Sequence, residues 1–223
     1  GIVDRNIARD FKLPKSSRHD PDKFIPKKVQ IKLLLEKVPD RYKAFFYTAI
    51  FSGLRASELR GLRWSNVDLD TKVIQVREKA DRFGEFGSPK SKTSRRDVPM
   101  GPMLVQVLLE WKSVCPESVY DLVFPNGKGN VENHSNIYNR VFSPLMHECG
   151  LFDGEGRRLF SFHALRHAAA SLFIDQGMSM KRVQALMGHS SITMTYDVYG
   201  HLFDDLEADL ENMAQIEKNL LAA

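Results

Sequence analysis

From Pro26 onward, apolar residues recur at helical spacing. Val29, Leu33 and Leu34 form one run and Tyr42, Phe45, Phe46, Ala49 and Ile50 a second, with Pro39 between them, so two helices are predicted before Gly53. LRASELRGLRW, from Leu54 to Trp64, reads as a short third helix. The pattern then turns to β type: residues 73–99 hold the short runs VIQV and DVPM, with Gly84, Gly87, Pro89 and the basic turn PKSKTSRR between them. Such punctuation predicts a small antiparallel sheet with an exposed last turn. Helical spacing resumes over Met103–Val114, Asn133–Cys149, Phe162–Gln176, Met180–Met187 and a tail beyond Leu202. The fold class expected is therefore α+β: a mostly helical domain with one small antiparallel sheet.

The first residues lack this order. Residues 1–20 mix basic and polar side chains without apolar periodicity, and Pro14 and Pro21 punctuate the segment and its end, so it reads as a linker or arm. The remainder, residues 21–223, is read as a single domain that includes an acidic helix over residues 202–223.

Composition narrows the setting. At 43% hydrophobic and 27% charged residues over 223 positions, the chain has ample material for a core. No apolar run approaches the roughly 20 residues of a membrane span, and no export signal opens the sequence, which points to the cytosol. Cys115 and Cys149 stand far apart, without the spacing of a disulfide framework or zinc knuckle, and are expected to be buried small hydrophobes.

The net charge of +4 conceals an asymmetry: the last 21 residues hold one Lys against six acidic residues, so everything before them is distinctly basic. That balance suits a nucleic-acid partner, although scattered solvated charge would give the same sum.

Three segments carry groups able to do chemistry. In SFHALRHAAASLFIDQG, Ser161 is a candidate N-cap, placing His163 in the first helical turn and Arg166 three residues on along the same face. Exposed amides, an imidazole and a guanidinium together make an anion site. His163 and His167 also have the i, i+4 spacing of a metal pair. Ala164 stands where a metalloprotease would carry its glutamate, however, and Arg166 would set a cation beside the ion, so no metal site is expected.

In SGLRASELRGLRW, Arg55 falls at a helix junction from which its planar fork could grip two phosphate oxygens, or simply pair with Glu58. The PKSKTSRR turn adds Lys90, Lys92, Arg95 and Arg96, where an ammonium could stand over a leaving group or merely meet solvent.

In order along the chain come GLRASEL, a basic hairpin, HALRH, LMGHSS and TYDVYGH. This succession, from about residue 21 to about residue 203, resembles the catalytic domain of tyrosine recombinases, the phage integrase family. The resemblance implies a site-specific recombinase or integrase acting on double-stranded DNA. A tyrosine hydroxyl attacks a phosphodiester, leaving a covalent 3′-phosphotyrosine and a free 5′-hydroxyl, with no metal, ATP or other cofactor required.

By the same resemblance the catalytic set is Arg55, Lys92, His163, Arg166, His189 and Tyr199, with Lys90 as the alternative to Lys92. The two arginines clamp the phosphate, the lysine protonates the leaving oxygen, His163 assists proton transfer and His189 bonds the phosphate. Tyr199 is chosen over Tyr196 because it stands in the family's TxDxYGH context; Tyr196 is read as packing or as a DNA-backbone contact. The resemblance further implies a DNA-binding domain ahead of residues 1–20, a homotetramer on DNA formed by exchange of the C-terminal segment, and accessory DNA-bending or excision proteins.

Overall fold

The computed structural model describes residues 24–89 and 92–202, together with Met213, Gln215, Ile216, Lys218 and Asn219. The expected linker over residues 1–20, Lys90, and most of the expected acidic helix over residues 202–223 lie outside the described residues. The five described tail residues are helical.

Two helices, α1 (Lys28–Lys37) and α2 (Asp40–Ser52), precede Gly53 as the apolar spacing predicts. Pro39, whose missing N–H is no loss at a helix start, stands at the N-cap of α2. After the short α3 (Ala56–Arg60), a 3-10 turn over Trp64–Asn66 leads into β1 (Val67–Asp68) and β2 (Val73–Val76). The chain makes β3 (Lys79–Ala80) and β4 (Phe86–Gly87) before β5 (Arg96–Pro99) returns to pair with β2.

The main sheet is antiparallel in the order β1-β2-β5, with Ile74 opposite Val98 and Val76 opposite Arg96. Beside this small antiparallel sheet, which the sequence predicts, β3 and β4 pair as a further two-stranded one. Strands of two residues each are too short for alternation to appear in a sequence.

Helix α4 (Pro102–Val114) begins on a proline at its first position. The next expected helix forms in three parts: α5 (His134–Asn136), a π segment over Ile137–Phe142 and α6 (Ser143–Glu148). Pro144 has no N–H to give an i−4 carbonyl, and just before it the Ser143 amide reaches back five residues to Tyr138. Then come α7 (Ala164–Asp175), α8 (Met180–Met187) and α9 (Ile192–Tyr199), the last followed by a 3-10 turn over Gly200–Leu202. Among the described residues no helix is long and apolar enough to cross a membrane.

Apolar burial joins these parts. The inward face of α2 sets Phe45 and Phe46 into an aromatic cluster, where Phe46 and Phe142 both meet Phe162 edge to face, with centroids 5.8 and 5.6 Å away. A fully buried aromatic side chain contributes about 1.5–3 kcal/mol, so this cluster fastens α2 to the turn that leads into α7. Ala170, Ile174, Val183, Met187 and Tyr199 form a smaller cluster joining α7, α8 and α9. The two cysteines are free thiols, and they depart from expectation only in being half-buried rather than buried.

Candidate active site

The site is organised around one carboxylate. Glu58, in the first turn of α3, is 2% exposed and accepts the Arg55 backbone N–H at 2.8 Å. Its two oxygens also take the Arg55 guanidinium at 2.9 Å and the Arg96 fork at 3.1 and 2.9 Å. Burial alone would raise the Glu58 carboxyl, but Arg96 and then Arg55 outweigh it and hold the group down at about 2. It is an anion at neutral pH.

Arg96 corrects the reading of PKSKTSRR as a solvated turn. It is the first residue of β5, and alternation places it on the same inward face as Val98. Besides Glu58 it donates to the carbonyls of Leu186 at 2.5 Å and Ser94 at 3.0 Å. Lys92 lies in the 3-10 turn Lys92–Ser94, while Thr93 and Arg95 are exposed as expected of such a turn.

Arg166, 4% exposed, holds the cluster from α7 by donating to the carbonyls of Gly53 and Met187. Burial lowers its pKa, and the nearby Arg55 adds to the shift, yet it stays cationic at neutral pH. Arg55 completes the ring by donating to the Gly188 carbonyl at 3.1 Å. Arg55 thus pairs with Glu58, while its side chain, 32% exposed, still opens on a cleft.

Gly188 is demanded here twice over. Its φ of 62° is left-handed, and an added Cβ would lie 3.0 Å from Nη1 of Arg96. This glycine lets the end of α8 close over the guanidinium.

His189 follows directly and shares a 2.9 Å hydrogen bond between Nδ1 and the Thr195 hydroxyl. Burial, with Arg166 and Arg55 adding to it, pushes the imidazole down to about 3. The ring is therefore neutral at physiological pH, with Nε2 left for another partner.

The cleft beside this cluster has a volume of about 370 Å³ and is lined by residues that include Arg55, Ser57, Lys79, Ser94, Ser190 and Met194. Around it three guanidinium groups face one carboxylate, so the wall is cationic. A larger groove, near Trp64 and Cys115, has none of these groups.

The two tyrosines of TYDVYGH separate sharply. They are three residues apart on α9, yet Tyr196 is 63% exposed and Tyr199 only 1%. Helical spacing explains this: Thr195 and Tyr199 lie at i and i+4 and both turn inward, whereas Tyr196 turns out and lays its ring over Gly200. The packing expected of Tyr196 is confined to this contact with Gly200, and the rest of its ring is exposed.

The Tyr199 hydroxyl shares a 2.5 Å hydrogen bond with Nδ1 of His167. Burial drives this phenol well above its ordinary value, and the nearby Arg166 only partly offsets the shift. His167 in turn packs edge to face against His163, with centroids 5.2 Å apart.

His163 is exposed and occupies the N-cap position of α7 with helical angles. The capping role expected of Ser161 is not realised: only its backbone carbonyl bonds Ala164, and its buried hydroxyl has no partner. Among the described residues no group of three or more His, Cys, Asp or Glu could hold a metal ion.

Of the six residues expected to act, Arg55, Arg166 and His189 come together at one cationic wall, and Tyr199 and His163 meet through His167 behind it. Glu58, Arg96, Thr195 and His167 are the supporting groups that the sequence reading did not assign to the site.

Known proteins share this arrangement of elements. The integrase of transposon Tn1549, solved in complex with circular intermediate DNA, superposes with a TM-score of 0.77 at 23% identity over 96% of this chain and 74% of that one. XerA recombinase gives a TM-score of 0.66 at 23% identity, over 92% and 67%. In sequence, a "Tyrosine recombinase XerC-like" protein of Caldanaerobacter subterraneus subsp. tengcongensis is 30% identical over 186 residues, covering 73% of this chain and 46% of that protein. The ICEBs1 integrase of Bacillus subtilis is 27% identical over 179 residues, covering 76% and 47%. The chain thus spans about half the length of these curated relatives. Residues 26–205 match the Phage integrase family, and with the cationic wall and buried tyrosine both inside that span, the chain belongs to this family.

Proposed function

We propose that this chain is the catalytic part of a site-specific DNA recombinase that breaks and rejoins strands through a 3′-phosphotyrosine. The observation that carries the reading is the cationic cleft with Arg55 on its wall, Arg166 and His189 fixed behind it, and a tyrosine hydrogen-bonded to a histidine beside them. Attack on a phosphodiester builds negative charge on its nonbridging oxygens, and fixed cations aimed there stabilise it without reorganising.

In the proposed step, Arg55 and Arg166 hold the scissile phosphate. With Thr195 donating to Nδ1, His189 carries its proton on Nε2 and donates to a phosphate oxygen. The Tyr199 oxygen forms the bond to phosphorus as its proton passes to His167, with His163 assisting. The bond from phosphorus to the 5′ oxygen breaks, and Lys92 supplies the proton that makes the 5′-hydroxyl; Lys90 is the alternative donor. The reverse reaction with the 5′-hydroxyl of another strand rejoins the DNA. The ester bond energy is kept in the phosphotyrosine, so the step consumes neither ATP nor a metal.

On this reading the working form is cytoplasmic, preceded by a DNA-binding domain to which residues 1–20 are the linker. It assembles as a tetramer on DNA by exchange of the segment beyond Leu202, and accessory DNA-bending or excision proteins set its direction.

A nicked duplex that loses its 5′-hydroxyl fragment provides the test. The expected result is a protein–DNA adduct that forms in EDTA, is abolished by Tyr199→Phe and survives Tyr196→Phe. An adduct lost with Tyr196→Phe and kept with Tyr199→Phe would reverse the assignment of the nucleophile.

A further inference from the structure

One cation in the cleft has no role in the set above. Lys79 lines the same cavity as Arg55, Ser57 and Ser190, but it comes from β3 of the small second sheet, apart from the helices that carry the arginines. Among the described residues its ammonium has no ion pair. Its chain neighbour Glu78 is already held by Arg63, at 2.5 and 3.2 Å to the two carboxylate oxygens, and Glu58 is taken by Arg55 and Arg96.

The strand that bears Lys79 is held firmly. An added Cβ at Gly61 would lie 2.6 Å from the Ala80 amide nitrogen and 2.7 Å from the Lys79 carbonyl carbon, so the end of α3 touches the β3 backbone directly. Buried Arg60 donates to the Asp81 carbonyl at 2.5 Å and to the Glu132 carbonyl at 2.7 Å. Arg63 also lies over the Phe86 ring at 4.2 Å, gripping the opposite strand of the hairpin. Asp81 closes the turn by accepting the amides of Phe83 and Glu85 at 2.8 and 3.0 Å. These ties hold a half-buried ammonium at the cleft without neutralising it.

We infer that Lys79 binds a second phosphate of the DNA strand, next to the one held by Arg55 and Arg166, and so sets the register of the strand in the cleft. The inference rests on the reading of the cleft as a DNA phosphate seat. A carboxylate-bound guanidinium on one element and an unpaired ammonium on another match a polyanion with repeating charges better than a single small anion. Lys79 would act by contact with the backbone, leaving proton delivery to the lysine of the following turn.

The test is the salt dependence of binding to a fluorescently labelled duplex of mixed sequence, measured for the chain as it stands, for Lys79→Ala and for Lys79→Arg. Loss of one phosphate contact makes the slope of log K against log salt shallower by about 0.9, so the affinity gap between wild type and Lys79→Ala should narrow about three- to fourfold between 50 and 200 mM salt. Lys79→Arg should restore the wild-type slope, and the melting temperature of Lys79→Ala should match wild type. Equal slopes for wild type and Lys79→Ala, or a Lys79→Arg slope as shallow as that of Lys79→Ala, would overturn the assignment of Lys79 alone. Failure of the wild type to bind duplex at all would overturn the DNA reading of the cleft together with it.

Discussion

The two halves of the site differ in readiness. The cationic half is preassembled: Arg96 and Arg166 are buried and donate to backbone carbonyls, Glu58 is buried and accepts from Arg55 and Arg96, and only Arg55 of the clamp opens to the cleft. The nucleophilic half is closed, with the Tyr199 hydroxyl held on His167 and the ring packed against Val183 and Met187. The lesson is that charge is cheap to hold in place when a fold surrounds it with partners, whereas a phenol kept from water must be released before it can react.

This contrast can be broken from the cationic side with the largest effect. On the proposed mechanism, Arg55→Ala removes a donor to the phosphate and should slow adduct formation by about 10²–10³-fold, measured in single turnover on the nicked duplex. Glu58→Gln leaves Arg55 and Arg96 facing each other without their counter-ion. It should lower stability by about 3 kcal/mol, read from urea denaturation, in line with the depressed carboxyl.

Acid sharpens the same comparison. The folded pKa of Glu58, about 2, lies below its ordinary value near 4.5, so its contribution is complete above 4.5 and lost as pH falls towards 2. His189 is depressed from 6.5 to about 3, so the unfolded chain takes up a proton first and stability declines as pH falls below 6.5. Urea midpoints across this range should fall in two stages, and His189→Gln should flatten the upper one.

On the nucleophilic side the effects are smaller. His167→Phe leaves the buried Tyr199 hydroxyl without its partner and should cost about 1–3 kcal/mol of stability by the same measurement. Tyr196→Ala, on the exposed face of the same helix, should change stability by less than about 0.5 kcal/mol.

Much of this was legible before any coordinates. Two helices before Gly53, the strands VIQV and DVPM, and Met180–Met187 all follow from apolar spacing because each buries one face. Arg96 was hidden by its neighbours: a run of basic residues reads as solvated turn, and only its shared face with Val98 marks it as inward. Glu58 was visible as a local partner of Arg55, but its bond to Arg96 spans 38 positions and follows from how β5 passes α3. Tyr199 could be chosen by its sequence context, while its burial depends on how α9 lies against α7 and α8, which no local pattern encodes.

The sharing of Glu58 has a consequence for the nascent polypeptide. Arg55 and Arg96 arrive on different elements, and Arg166 is anchored by carbonyls at Gly53 and Met187, so the anion trap exists only after both ends of the domain have met. An incompletely folded molecule presents dispersed guanidinium groups with no common focus. On the proposed function, grip on a phosphate backbone is thereby reserved for molecules in which these distant segments have met.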